Sequence, residues 1–362
     1  MDFGIFVVPF RLPEVGLAQG IQWDLQCVRW AEEFGFSEAW FGEHFAVGWE
    51  PGCAPELTIA AASQQTTRLR LGAGAHILPY HNPVALAHRL MMLDHMTEGR
   101  FIAGFGSGSY GGDAQLFGAA QKDRREMTKE ALDIILAIWQ ADGPFKIEGK
   151  HWTVDYPDFD EFARGPHWKP FQQPHPRIAI AGVSPSSSSI REAGARGFIP
   201  LSFNVAVEYL QGHWDAYEEG AATSGHTPDR SDWRIVREII VADTDEEALE
   251  LAIGKRAALR RAYDEWTLPL YHSHGVLQAM APTMPLEEIT SEYLARHHWL
   301  VGSPDTVVER IEQHWDELGG FGTLIMSTFD YVDQPDAYRH SFELLGTEVA
   351  ERVAHLRAGS AA

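Results

Sequence analysis

The stretch Gly99-Arg-Phe-Ile-Ala-Gly-Phe-Gly-Ser-Gly-Ser-Tyr-Gly-Gly112, GRFIAGFGSGSYGG, contains a literal G-x-G-x-x-G at Gly106, Gly108 and Gly111. Such a fingerprint marks a dinucleotide-binding fold when it follows the first strand, opens a helix at once and is answered about 20 residues later by an acid ending the next strand. Here Gly111 leads into GDAQLFGAAQKD, which does not open a clean helix. The next helical pattern starts about a dozen residues on, and its acids, Glu126 and Glu130, lie inside it. Three strand–helix units already precede the motif. The glycines therefore read as a sharp turn at the end of a fourth strand, where backbone can approach a ligand closely.

The rest of the chain alternates in the same way. The apolar runs FGIFVVPF, EAWFGEHF, LRLGAGAHIL, RFIAGFGSG, RIAIAG, FIPLSFN, WRIVREIIVA and GTLIMSTF read as strands. Helical spacing follows each of them: WDLQCVRWAEEFGF with Gly35 as a stop, APELTIAAASQQT, PVALAHRLMMLDHM opened by Pro83, REMTKEALDIILAIWQ, SSSSIREAGARG, AVEYLQGHWDAYEEGAATSG, DEEALELAIGKRAALRRAYDEW, and a tail from about Asp336 to Leu356. Strands this apolar need helices on both faces, and eight such units fit a (β/α)8 TIM barrel better than a doubly wound sheet. The whole chain, 1–362, reads as one barrel domain with two insertions, near 146–176 and 267–298. Long insertions in a barrel belong to functional loops, and the second is the candidate lid.

Composition narrows the function. The 362 residues carry a formal net charge of −22, which argues against nucleic acid or an anionic membrane as partner. Two cysteines, Cys27 and Cys53, read as reduced thiols rather than a disulfide framework. The opening run has no basic segment before a long hydrophobic one, and no run approaches about 18 apolar residues. The expected compartment is the cytoplasm.

In order and spacing, FGIF, AWFGEHF, LGAGAHILPYHNPVALA, LDHMTEGRFIAGFGSGS and LVGSPDTVVERI resemble the bacterial-luciferase-like flavin monooxygenases, over nearly the whole chain. GHTPDRS with the serine-rich segment is similar to the diketocamphane monooxygenases, with the limonene monooxygenases as further neighbours. The resemblance implies a TIM barrel, reduced FMN delivered by a separate flavin reductase, and dioxygen activation through a C4a-peroxyflavin. It also implies a hydrophobic small-molecule substrate, oxidised in the Baeyer–Villiger manner when it is a cyclic or terpenoid ketone, and a homodimer.

The candidate residues follow from position and from that resemblance. His44 closes strand two beside Glu43; a histidine there titrates near neutrality, and the resemblance makes it the catalytic proton relay. The resemblance also places Gly74 and Ala75 under the isoalloxazine ring, through a cis bond in some relatives. Phe6 matches an aromatic position near the flavin and serves core packing equally well. His76 is either a pocket wall or a packing residue.

An FMN phosphate needs hydrogen-bond donors, and a helix N-terminus offers free N–H groups. Ser184, Ser186 and Ser189 in GVSPSSSSIREAG stand at such a start, which a simple helix cap also explains. Where luciferase has an arginine after strand four this chain has Ser107, so the backbone of Ser107 and Gly108 is the expected substitute. Asp94 and Arg100 read as a structural pair. His272, His274, His297 and His298 lack the spacing of a zinc motif, so no metal is expected. Two alternatives stay open: a deazaflavin (F420)-dependent hydride-transfer enzyme, and a catalytically silent flavin-binding partner subunit.

Overall fold

The computed structural model describes residues 1–8, 10–158, 168–184, 187–203 and 205–359. Eight parallel strands form its centre: β1 Asp2–Val7, β2 Glu38–Phe41, β3 Arg70–Ala73, β4 Phe101–Gly106, β5 Arg177–Gly182, β6 Ile199–Ser202, β7 Arg234–Arg237 and β8 Thr323–Thr328. Each pairs with its sequence neighbours, and β1 closes the ring on β8 in the register Asp2↔Thr323 to Val7↔Thr328. The result is a closed (β/α)8 barrel, as the eight apolar runs require.

Alternate residues point inward. Phe6, Trp40, Ile102, Ala179, Ile199, Leu201, Val236 and Ile325 fill the cylinder. A Cβ on Gly104 would lie 1.6 Å from the Ala73 carbonyl oxygen, so β3 and β4 approach closely only because that residue has no side chain. At the N-terminal end the Arg234 guanidinium donates to Glu38 at 2.7 and 3.3 Å, and the Trp40 indole donates to the same carboxylate at 3.0 Å. Burial raises the Glu38 pKa, but this charge and these donors outweigh it and hold the carboxyl below its ordinary value.

The outer layer is α1 Leu17–Glu33, α2 Pro55–Ser63, α3 Pro83–Met96, α4 Arg124–Gln140, α5 Ser188–Arg196, α6 Val207–Ser224, α7 Pro304–Leu318 and α8 Pro335–Leu344. Several ends are where the sequence places them: Pro83 opens α3 behind the Asn82 cap, and Gly35 and Gly225 follow α1 and α6 with positive φ.

Two findings depart from the expected pattern. Gly111 does open a helix, a short one over Gly111–Leu116, so the glycine stretch ends in a turn of helix before α4 begins. The helix bridging β7 to β8 is α7, not 245–266. After β7 the chain leaves the barrel through Ile239–Val241, runs through helices at Asp245–Ile253, Ala258–Ser273 and Ser291–His297, and returns at Leu300–Gly302, which pairs in parallel with Ile239–Val241. The 267–298 segment is thus the distal part of one excursion clipped shut at its base. Within 146–176, Phe145–Glu148 and Thr153–Tyr156 form an antiparallel hairpin; the rest of that insertion lies partly outside the described residues.

Candidate active site

β2 ends at Phe41, and the strand's alternation turns successive side chains to opposite sides. Glu43 and His44 consequently part company. The Glu43 carboxylate accepts from the Ile77 N–H at 2.7 Å and faces the His81 imidazole at 2.9 Å, fastening the β3 loop behind the mouth. His44 faces two other carboxylates. Its Nδ1 lies 3.2 Å from Asp113 and its Nε2 3.3 Å from Glu50.

Asp113, on the short helix opened by Gly111, also accepts from the N–H groups of Phe45 and Ala46, at 3.0 and 2.5 Å. Carboxylates on both ring nitrogens favour the doubly protonated imidazolium, because only that form donates to both. Burial opposes the charge, but the Asp113 hydrogen bond and the charges of Glu50, Asp113 and Glu43 prevail, and the His44 pKa is raised. Asp113 responds in reverse: burial would raise its pKa, and His44 with the two backbone donors holds it down. Asp113 had no local signal to mark it, since it lies 69 positions from His44 in a stretch read for its glycines.

The neighbouring rim is small, apolar and polar in turn. The Gly74–Ala75 bond is cis. A Cβ on Gly74 would meet the Phe6 ring at 2.5 Å, and Phe6 packs edge-on against Phe203 at 5.0 Å. Phe6, Gly74 and Ala75 are therefore brought together at the mouth. His76 turns away from the rim and is fully buried, 3.3 Å from Glu56. Leu116 and Phe117 after β4, Val183 after β5 and Val276 on the excursion are exposed apolar residues.

Ser107 and Gly108 follow β4, with Gly108 at φ +74°, a left-handed turn suited to glycine. The Tyr80 hydroxyl sits beneath, 2.7 Å from where a Gly108 Cβ would be, buried and without a hydrogen-bond partner among the described residues. Arg124 at the head of α4 reaches into the same loop and donates to the Gly108 carbonyl at 3.4 Å. A cation thus stands beside the turn that Ser107 leaves neutral, supplied by the following helix.

Across β5 the serines divide the work. Ser187 is the cap of α5; its buried hydroxyl accepts from the Ile190 N–H at 3.2 Å and lies 3.3 Å from the Ser189 hydroxyl. Ser184 is exposed at the end of β5, and its carbonyl is fixed by His213 at 2.7 Å. Ser186 lies outside the described residues. The first-turn N–H groups of Ser188 and Ser189 have no partner within the helix.

The remaining candidates are structural. Asp94 accepts from the Gln172 main chain and side chain at 2.8 and 2.6 Å, and Arg100 donates to the Leu69 and Ser63 carbonyls; the two are not a pair. His272 and His274 lie on the excursion, with His274 beside Tyr110, and His297 and His298 pack on Tyr293. Among the described residues no group of three or more His, Cys, Asp or Glu side chains is placed to hold a metal. No helix of the described chain is long and apolar enough to cross a membrane.

The model of the luciferase-like monooxygenase family matches residues 1–320. The chain is 32% identical to 2,5-diketocamphane 1,2-monooxygenase 1 of Pseudomonas putida over 98% of its own length and 99% of the relative's. It is 31% identical to limonene 1,2-monooxygenase of Rhodococcus erythropolis over 97% and 86%. Among solved structures it resembles the oxygenating constituent of 3,6-diketocamphane monooxygenase from P. putida, a type II Baeyer–Villiger monooxygenase in complex with FMN. That similarity has a TM-score of 0.91 at 33% identity and covers 97% of this chain and 98% of the other.

Proposed function

The chain belongs to the luciferase-like monooxygenase family, and from that membership we propose that it is the oxygenase of a two-component system. It takes reduced FMN from a separate flavin reductase and inserts one oxygen atom of O2 beside the carbonyl of a cyclic or terpenoid ketone. The residues at the mouth fit the cofactor. Gly74 and Ala75 offer a floor without bulky side chains, next to Phe6. The Ser107–Gly108 turn carries the orphaned Tyr80 hydroxyl beneath it and Arg124 beside it, and α5 presents its first-turn N–H groups with Ser184 and Ser189 nearby. Phosphate binding then rests on backbone N–H groups, on hydroxyls and on one cation.

Reduced FMN, when bound, supplies the electrons that activate dioxygen. His44 holds the proton. Its Nδ1 stays with Asp113, and the Nε2 side, faced by Glu50, is the side a reacting oxygen can reach by displacing that carboxylate. The excursion over 239–302 and the apolar rim keep water from the reacting atoms. The observation that carries the reading is His44 clamped between two carboxylates at the C-terminal end of β2, in a chain of this family.

A homodimer forms through α2 and α3, whose adjoining surface exposes Leu57 (70%), Met92 (66%) and Met96 (40%), more apolar side chain than a solvent face needs. Light scattering should give the mass of two chains, reduced to one by Leu57→Asp with Met92→Asp. Two free thiols, Cys27 and Cys53, suit a reducing cytoplasm.

The test of function supplies the purified chain with a generic flavin reductase, NADH, FMN and bicyclic ketones under 18O2. Labelled lactone supports the reading. Unlabelled product, or turnover only with reduced F420, refutes it.

A further inference from the structure

Glu238 is the first residue beyond β7, at the end of the barrel where sites are assembled. Its side chain is buried, and one carboxyl oxygen accepts the Tyr263 hydroxyl of the excursion at 2.6 Å. The other oxygen has no hydrogen-bond partner among the described residues. The main chain at Glu238 is fixed where the excursion returns, its carbonyl accepting from the Leu300 N–H at 2.9 Å, and the Tyr263 bond orients the carboxyl. Three positions after Tyr263, the Trp266 indole N–H is likewise buried without a partner, and its ring stacks on Trp49 from the loop that carries Glu50. Tyr271 feels the charges of both Glu50 and Glu238. The underside of the excursion thus spans the mouth from the end of β2 to the end of β7, with two orphaned polar groups in it.

A buried carboxylate with an empty oxygen is unfavourable, and a proton on that oxygen removes the charge. The groups acting on it are Tyr263 from the excursion and Arg237 from β7, and Tyr271 of the excursion feels its charge. Burial pushes the Glu238 pKa up, Tyr263 and Arg237 oppose it, and the result is about 7. At neutral pH roughly half of the molecules then carry the proton, and in these the free oxygen is an O–H donor that lacks an acceptor. A neutral carbonyl oxygen satisfies it. An alkene leaves it unpaired, and an ionised carboxylate is repelled once Glu238 loses its proton.

We propose that Glu238, oriented by Tyr263, receives the carbonyl oxygen of the substrate and selects neutral ketones over alkenes of the same shape. This rests on the oxygenase reading of the mouth and goes beyond it by assigning the group that recognises the ketone.

The test measures binding to the FMN-loaded protein of 2-norbornanone and of norbornene, its alkene counterpart, across pH. In the wild type, ketone affinity falls as pH rises through about 7 while norbornene affinity stays level. Glu238→Gln keeps the Tyr263 bond and an N–H donor, so it binds the ketone with no pH dependence. Glu238→Leu loses about tenfold or more in ketone affinity and none for norbornene. The proposal is overturned if the wild type does not bind the ketone, if the pH dependence survives in Glu238→Gln, or if Glu238→Leu binds the ketone normally. Should the leucine variant not fold, the isosteric glutamine decides. FMN titration separates the two levels: a wild type that binds no FMN refutes the proposed function. Equal FMN binding with unaltered ketone profiles in the variants refutes only the role of Glu238.

Discussion

Replacing Asp113 by Asn isolates the charge that sets the protonation of His44. The amide oxygen can still accept from the Phe45 and Ala46 N–H groups, so the loop after β2 keeps its anchor. What disappears is the negative charge 3.2 Å from Nδ1. A hydrogen bond to a charged partner contributes about 1.5–3 kcal/mol, and one pH unit corresponds to about 1.4 kcal/mol, so the His44 pKa should fall by about one to two units. Burial, the largest influence on this group, already pulls in that direction, and Glu50 is left as the one carboxylate in contact.

The assay is a proton NMR titration of the His44 ring, identified by its loss in His44→Gln. Stability gives an independent reading. The raised His44 pKa contributes stability that is full below the unfolded value of 6.5 and is lost as pH rises through the folded pKa. The depressed Asp113 pKa contributes stability present above its unfolded value of 3.8 and lost as pH falls through the folded pKa. The deficit of Asp113→Asn should therefore be widest between these limits and shrink on either side. An unshifted His44 resonance titration in the variant refutes the reasoning.

Three further outcomes follow from the same geometry. Arg124→Gln should weaken FMN about 10- to 100-fold by fluorescence titration while leaving riboflavin unaffected, since it removes the cation beside the Gly108 turn that we propose pairs with the phosphate; equal losses for both ligands refute the assignment. Glu38→Gln should cost about 3 kcal/mol in urea unfolding, because it removes the buried counter-charge of Arg234 and leaves only the half-exposed Asp232, 3.5 Å away; a cost below about 1 kcal/mol contradicts that. Gly104→Ala should destabilise by about 3 kcal/mol or more, or abolish soluble expression, since its methyl has nowhere to go beside the Ala73 carbonyl; a native melting temperature contradicts it.

The strands were legible because a doubly buried strand is a local statement: each needs its own apolar run, and all eight runs found their place. His44 was legible for the same reason, as a titratable residue at a strand end. Its partners were not. Glu43 is adjacent in sequence but turns to the opposite side, and the carboxylates that hold His44 come from position 50 and from a helix across the mouth. In a run of four serines no residue announces itself as the cap, and only helix geometry picks Ser187. The base of the excursion, Ile239–Val241 on Leu300–Gly302, joins segments some 60 residues apart, a separation that local periodicity does not register. Glu238 hides in WRIVREIIVA as one charge in an apolar run.

By itself, then, the amino-acid order determined the eight barrel strands, most of the helices between them and the placing of His44 at a strand end, because burial and backbone hydrogen bonding act over a few residues at a time. Tertiary structure alone decided which charges meet: Asp113 with His44, Arg124 with the Gly108 turn, Tyr263 with Glu238. Charge and proton position depend on distances and solvent exclusion across the closed barrel, and chain order does not encode those until the ring has shut.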